Sequence, residues 1–195
     1  NYEAHEKLFR LLVGSWRENW NDPDLPFYYV QLSSIDRPSW PWFRDSQRRL
    51  MDAIPHTGMA VSSDYGDSLD VHPKNKRPIG ERLAHWALNR TYDKKQVVPS
   101  GPLFRSVDFR EDAAYVGFDY ADGLHTADGR PIREFEIAET EGLYYPAKAE
   151  VVGNQVRVYS DRVKHPCYVR YAWRPFTRAN LVNSQSLPAS TFRSR

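Results

Sequence analysis

A single cysteine among 195 residues, Cys167, rules out an internal disulfide and a thiolate metal cluster, so the fold must rest on its core. Cys167 stands just before the strand-like run 168–173 with no base beside it in sequence, and a buried, inert thiol is expected. No apolar run approaches the roughly 20 residues that a membrane span needs. Neither sign of charge dominates: 27 Lys and Arg stand against 25 Asp and Glu, spread evenly over both halves, so no basic nucleic-acid footprint is visible. The arginines read as surface and ion-pair residues. His56, His85, His125 and His165 lack ligand spacing to another histidine or acid, and neither a metal nor an organic cofactor is expected. What is present is apolar and aromatic side chains, 41% and 14% of the chain, enough to fill a packed core.

Two rhythms divide the chain near residue 97. In 1–97, Leu8, Leu11, Leu12, Trp16 and Trp20 recur at three- and four-residue steps, which predicts a helix packed on a sheet by that stripe. The run 26–32 reads as a parallel strand covered on both faces, 43–54 as a helix closed by Pro55, and 58–62 as a second strand. A third helix carries Ile79, Leu83 and Trp86, with Asn75 as its expected cap. Helix and strand alternate as in a doubly wound α/β sheet, but two strands cannot complete one, so an uncovered edge is expected to need a partner chain or self-association. In 98–195 the period becomes two. Gly153-Asn154 joins two short strands as a tight hairpin, and runs at 103–109, 114–120, 135–138 and 168–173 predict a small antiparallel β-sandwich, jelly-roll-like. The polar tail from Asn180 is either disordered or laid back across the other domain.

The densest polar group is Asp64-Tyr-Gly-Asp-Ser-Leu-Asp-Val-His72, in the loop after the second strand, where α/β proteins place function. His72 could move protons while Asp70 fixes its tautomer; a solvated acidic loop with a capping histidine has the same composition. Gly66-Asp-Ser-Leu69 spells a hydrolase nucleophile signature, yet Ser68 is only four residues from His72, too short a span to bring hydroxyl and imidazole together from separate elements, so it reads as a loop residue. Trp40 and Trp42, in a proline-rich loop, could stack on sugar rings or simply cover the sheet edge. Asn89-Arg-Thr91 matches a glycosylation sequon near a helix end.

Several ordered segments resemble the sialate O-acetylesterases, carbohydrate esterases of the SGNH hydrolase superfamily: 26–32 (PFYYVQL), 54–61 (IPHTGMAV), 70–76 (DVHPKNK) and 80–84 (GERLA) in the α/β part. In the β part they are 100–104 (SGPLF), 135–138 (FEIA), 169–173 (VRYAW) and 187–190 (LPAS). The resemblance implies an esterase that removes acetyl groups from sugar hydroxyls, typically of O-acetylated sialic acids, met outside the cytoplasm in periplasmic, secreted or lysosomal settings. It matches His72 to the family's late catalytic histidine and leaves Asp70, Asp64, Asp67 or a backbone carbonyl to orient it, since Leu69 stands where the superfamily commonly has aspartate. Trp40 and Trp42, read from their aromatic faces, are the candidate substrate-binding residues. The family's serine nucleophile lies before the region that this chain matches. The chain is therefore expected to be the carboxyl-terminal part of an SGNH-like three-layer α/β domain followed by the sandwich, with the serine supplied by an upstream segment or a second chain. Other acetylated glycans, or a noncatalytic carbohydrate-binding module, are the alternatives.

Overall fold

The computed structural model describes residues 1–194. Its first part holds α1 (Tyr2–Asn19), β1 (Phe27–Val30), α2 (Trp40–Ala53), β2 (Thr57–Ala60), a 3-10 turn (Ser63–Tyr65), α3 (Arg77–Trp86) and a π turn (Ala87–Thr91). The strands pair in parallel, Tyr28 opposite Gly58 and Tyr29 opposite Met59. Side chains alternate across this small sheet. Phe27, Tyr29, Met59 and Val61 pack with Phe9 of α1 and Met51 of α2, while the opposite face receives α3, whose Trp86 ring lies so close to Gly58 that a Cβ there would meet it at 2.5 Å. Trp86 Nε1 donates to the Met59 carbonyl at 2.9 Å.

Three local expectations need correction. The stripe on α1 is mostly turned away from the sheet: Leu8, Leu11, Leu12, Trp16 and Trp20 are 44–70% exposed, although Trp16 meets Phe27 of β1 edge-on. Phe9 and Val13, one turn apart, form the buried side with Leu50 and Ile54. Helix α2 starts three residues earlier than its spacing suggests, because Pro41 falls in the first turn, where no N–H is required; Trp40 and Trp42 are helical, not loop, residues. Asn75 does not cap α3, which begins after Lys76 without a side-chain cap.

The second part is antiparallel. β3 (Leu103–Arg110), β4 (Ala113–Asp119), β8 (Lys148–Val152) and β9 (Gln155–Tyr159) form one sheet in the order β3-β4-β9-β8. A second sheet, ordered β12-β10-β6-β7, contains β6 (Phe135–Ala138), β7 (Tyr145–Pro146), β10 (Tyr168–Tyr171) and β12 (Phe192–Arg193). A short pair joins β5 (His125–Thr126) and β11 (Leu181–Val182). The hairpin is as expected, with Gly153 at φ +60° in the left-handed region that its turn needs. Val116, Phe118, Val156 and Val158 of the first sheet share one core with Phe135, Ile137, Val169, Tyr171 and Phe192 of the second. The tail takes the second of its two expected courses and is laid back across the first part: Ser190 Oγ accepts Gln31 Nε2 at 2.8 Å, while Phe192 stacks on Phe104 of its own part at 4.4 Å between centroids.

Where the tail crosses α2 lies Arg44, fully buried, against the expectation that arginines would be surface residues. Its Nε donates to Thr191 Oγ1 at 2.9 Å, Nη1 to the Pro175 carbonyl at 3.0 Å, and Nη2 to the carbonyls of Ala172 and Arg174. Burial lowers its pKa to about 10, so the guanidinium is still charged at neutral pH. Arg44→Met should destabilise the chain by at least about 3 kcal/mol in urea unfolding, because several buried acceptors lose their donors at once. A loss below about 1 kcal/mol would show that the tail does not depend on this residue.

Candidate active site

Both strands of the parallel pair deliver their carboxyl ends to one loop, residues 66–76. Ser62 Oγ donates to the Gln31 carbonyl at 2.6 Å, tying the chain after β2 to the chain after β1. Ser33 Oγ reaches the Val71 carbonyl at 2.8 Å, and the Asp36 amide donates to the Ser68 carbonyl at 3.1 Å. Gly66 lies flat against Ser34: a Cβ there would come within 2.4 Å of the Ser34 amide nitrogen and carbonyl oxygen. Only glycine permits that approach.

On this scaffold Asp70 and His72 meet. Asp70 Oδ1 accepts the His72 amide at 2.9 Å and stands 3.1 Å from His72 Nδ1. These bonds, the backbone one first, hold the Asp70 carboxyl below the usual aspartate range. With the proton on Nδ1, facing the carboxylate, Nε2 presents its lone pair outward; no described residue bonds to it, and the His72 side chain is 81% exposed. The ring borders an open cavity of about 470 Å³ with Tyr65, Asp67, Pro73 and Lys74. Such a histidine can accept a proton from one group and return it to another.

The other two carboxylates are occupied. Asp64 forms a two-pronged pair with Arg82, 2.7 Å to Nη1 and 2.6 Å to Nη2, and Asp67 Oδ1 accepts the Leu69 amide at 2.8 Å. Arg82 also donates to the Val61 carbonyl at 2.7 Å, which braces the start of the loop. Sequence reasoning passed over Arg82, Ser33 and Gly66; only Gly66 carried a local signal, inside the hydrolase-like signature. Ser68 is exposed, and no hydrogen bond joins it to His72.

Neither tryptophan lines the His72 cavity. Trp42 stacks on Tyr2 at 5.6 Å, meets Trp173 edge-on at 5.2 Å, and carries the Arg193 guanidinium over its face. Trp40 packs beside Phe43 under Arg37. Cys167 is exposed rather than buried, because the chain before β10 runs along the surface. Asn89 of the sequon is buried and its amide donates to the Val97 carbonyl at 2.8 Å. Among the described residues no cluster of His, Cys, Asp and Glu could hold a metal ion.

No family model matches the sequence. The chain is 22% identical over 225 residues to a sialate O-acetylesterase of Rattus norvegicus and 24% identical over 223 residues to one of Homo sapiens. These alignments take in 100% and 98% of this chain and 42% of each relative. A carbohydrate acetylesterase from Xanthomonas citri of known structure is 36% identical with a TM-score of 0.91, over 97% of this chain and 45% of that one. The chain thus resembles the sialate O-acetylesterases along its whole length, and it spans less than half the length of the proteins it matches.

Two outcomes follow from the loop's construction. Gly66→Ala should lower stability by more than about 1 kcal/mol in urea unfolding and shift the His72 amide resonance, since the Ser34 backbone cannot yield; unchanged resonances would contradict the close approach. Because the Asp70 carboxyl is depressed, its bonds to His72 persist above the ordinary value of 3.8 and are lost only as pH falls through the lowered one. The carboxyl carbon resonance of Asp70 should therefore titrate with a midpoint under 3.8, and a midpoint at or above it would refute the pairing.

Proposed function

We propose that this chain carries the acid–base half of a carbohydrate O-acetylesterase, with His72 as the proton-transfer residue and Asp70 as its orienter. The observation that carries the reading is the Asp70–His72 pair at 3.1 Å with Nε2 open to a cavity. In this scheme Nε2 takes the proton of a serine hydroxyl as its oxygen attacks the acetyl carbonyl, then gives that proton to the departing sugar oxygen. The acetyl-enzyme is hydrolysed by water that His72 deprotonates in turn. Asp70 keeps the ring in the needed tautomer and stabilises the imidazolium.

The serine is proposed to come from outside this chain, from an upstream segment or a second polypeptide. Support comes from the absence of any hydroxyl bonded to His72 among the described residues, and from relatives more than twice as long. It comes also from surface that a soluble fold seldom leaves bare: the 44–70% exposed stripe of α1 and Val30 on a sheet of two strands. Residues 1–97 are read as the closing part of an SGNH-like domain and 98–195 as an attached sandwich. In this reading the surface is covered by the nucleophile-bearing portion or by another copy.

O-acetylated sialic acid is the proposed substrate, after the names of the curated relatives. The 36% identity to an enzyme named only a carbohydrate acetylesterase favours a second reading, an acetyl ester of another glycan. No helix among the described residues is long and apolar enough to cross a membrane, and a sialoglycan substrate favours an extracytoplasmic compartment.

Acetate release from O-acetylated sialic acid and from acetylated xylan tests the reading. The chain alone should release none, whereas the polypeptide that joins it to a nucleophile-bearing portion should be active. In that polypeptide His72→Ala should lower kcat by about 10³-fold or more, and Asp70→Asn by about 10²-fold, with KM little changed. Activity of the chain alone, or of the His72→Ala protein, would overturn it.

A further inference from the structure

A second cavity, of about 450 Å³, opens where the two parts of the chain meet. It lies at the other end of the parallel strands from His72: Pro26, Tyr28 and Thr57 mark where β1 and β2 begin, and Phe104, Asp119 and Tyr120 come from β3 and the end of β4. Ligand sites favour such junctions between units. Trp86, Tyr28, Tyr120 and Phe104 give it aromatic walls.

All but one of its lining cations are paired with a carboxylate. Arg48 is paired with Asp45 and Asp52, Lys95 with Asp93, Asp119 with Arg105, and His56 stands by Asp24. Arg90 alone among the lining cations has no carboxylate within ion-pair distance among the described residues; its partner is the Tyr120 hydroxyl, at 2.7 Å. Two backbone irregularities set that guanidinium in place. Arg90 lies in the π turn that ends α3, a distortion that often marks functional positions. Tyr120 holds the left-handed conformation at φ +57°, unusual for a bulky residue, and Asn183 Nδ2 fixes its carbonyl at 3.1 Å. The same turn places Thr91 Oγ1, outside the lining, against the Tyr28 hydroxyl at 2.7 Å, so the lining hydroxyls near the cation are those of Tyr28 and Tyr120.

We propose that this cavity binds a carboxylated sugar residue of a glycan, with Arg90 on the carboxylate, the Tyr28 and Tyr120 hydroxyls on the ring hydroxyls, and an aromatic wall against the apolar ring face. The site is separate from the His72 cavity, with which it shares no lining residue. That the ligand is a sugar rests on the esterase reading; the carboxylate rests on Arg90.

Direct binding tests this without turnover. The chain is titrated with N-acetylneuraminate, glucuronate and glucose, followed by saturation-transfer NMR and by amide shifts around Trp86. One or both acid sugars should bind, glucose at least about tenfold more weakly, and Arg90→Gln should remove that advantage while thermal melting stays unchanged. Tyr120→Phe, which frees the guanidinium, should weaken the acid sugars less than Arg90→Gln, and His72→Ala should leave binding as it was. Equal binding of glucose and glucuronate, an Arg90→Gln protein that binds like the parent, or no binding to about 10 mM would each overturn the proposal. If binding holds and acetate release fails, the esterase reading falls and this one stands; the reverse result removes only this site.

Discussion

The buried guanidinium of Arg44 is the constraint on which the arrangement of the chain depends. A cation taken out of water needs every donor satisfied, and here the partners are carbonyls and a hydroxyl supplied by residues 172–175 and 191. Helix α2 is thereby fixed to the segment after β10 and to the tail, and through them to the core that the two antiparallel sheets share. Two residues beside this contact hold left-handed backbones that a side chain disfavours, Ala172 at φ +52° and Glu134 at φ +64°, and the Ala172 amide donates to the Glu134 carbonyl at 3.0 Å. Such conformations persist where surrounding bonds over-determine them. The backbone carbonyl of Arg44 in turn accepts Gln31 Nε2 at 2.9 Å, and the same amide nitrogen reaches Ser190 Oγ at 2.8 Å.

Gln31 carries that constraint to the candidate active site. It is the first residue beyond β1, and its own carbonyl accepts Ser62, at the root of the His72 loop. The position of His72 therefore derives from strand ends, from Ser33 on Val71, and from the Arg82–Asp64 pair, rather than from packing around the ring itself. A histidine held this way is oriented yet reachable, as proton transfer to an incoming group requires. At the far end of the same strands, the π turn after α3 aims Arg90 at the Tyr120 hydroxyl, just beyond β4. The sheet thus has a cavity at each end, with the junction of the two parts shaping one of them.

Elements with strong periodicity were legible in the sequence. Alternating Val156 and Val158, the Gly153-Asn154 turn and the apolar run around Tyr29 each have one good solution in φ and ψ. Helix α1 was legible as a helix but not by its buried face, since its sequence carries two apolar sides and only tertiary contacts choose Phe9 and Val13. Arg44 could not be read, because its buried partners lie about 130 residues away in sequence. The Asp70–His72 contact was readable as a spacing of two, whereas excluding Asp64 needed Arg82, 18 residues on. Trp40 and Trp42 look like sugar platforms by composition; the structure spends the Trp42 faces on Tyr2 and Arg193.

The central claim is that His72 is poised to serve a nucleophile that these residues do not themselves provide. Intact-mass analysis after exposure to a fluorophosphonate that labels activated serines addresses it most directly. The account predicts that the chain alone keeps its mass, and that in the polypeptide joined to the nucleophile-bearing portion one adduct forms outside these residues and is lost in His72→Ala. An adduct on Ser68, or on any serine of this chain, would contradict it.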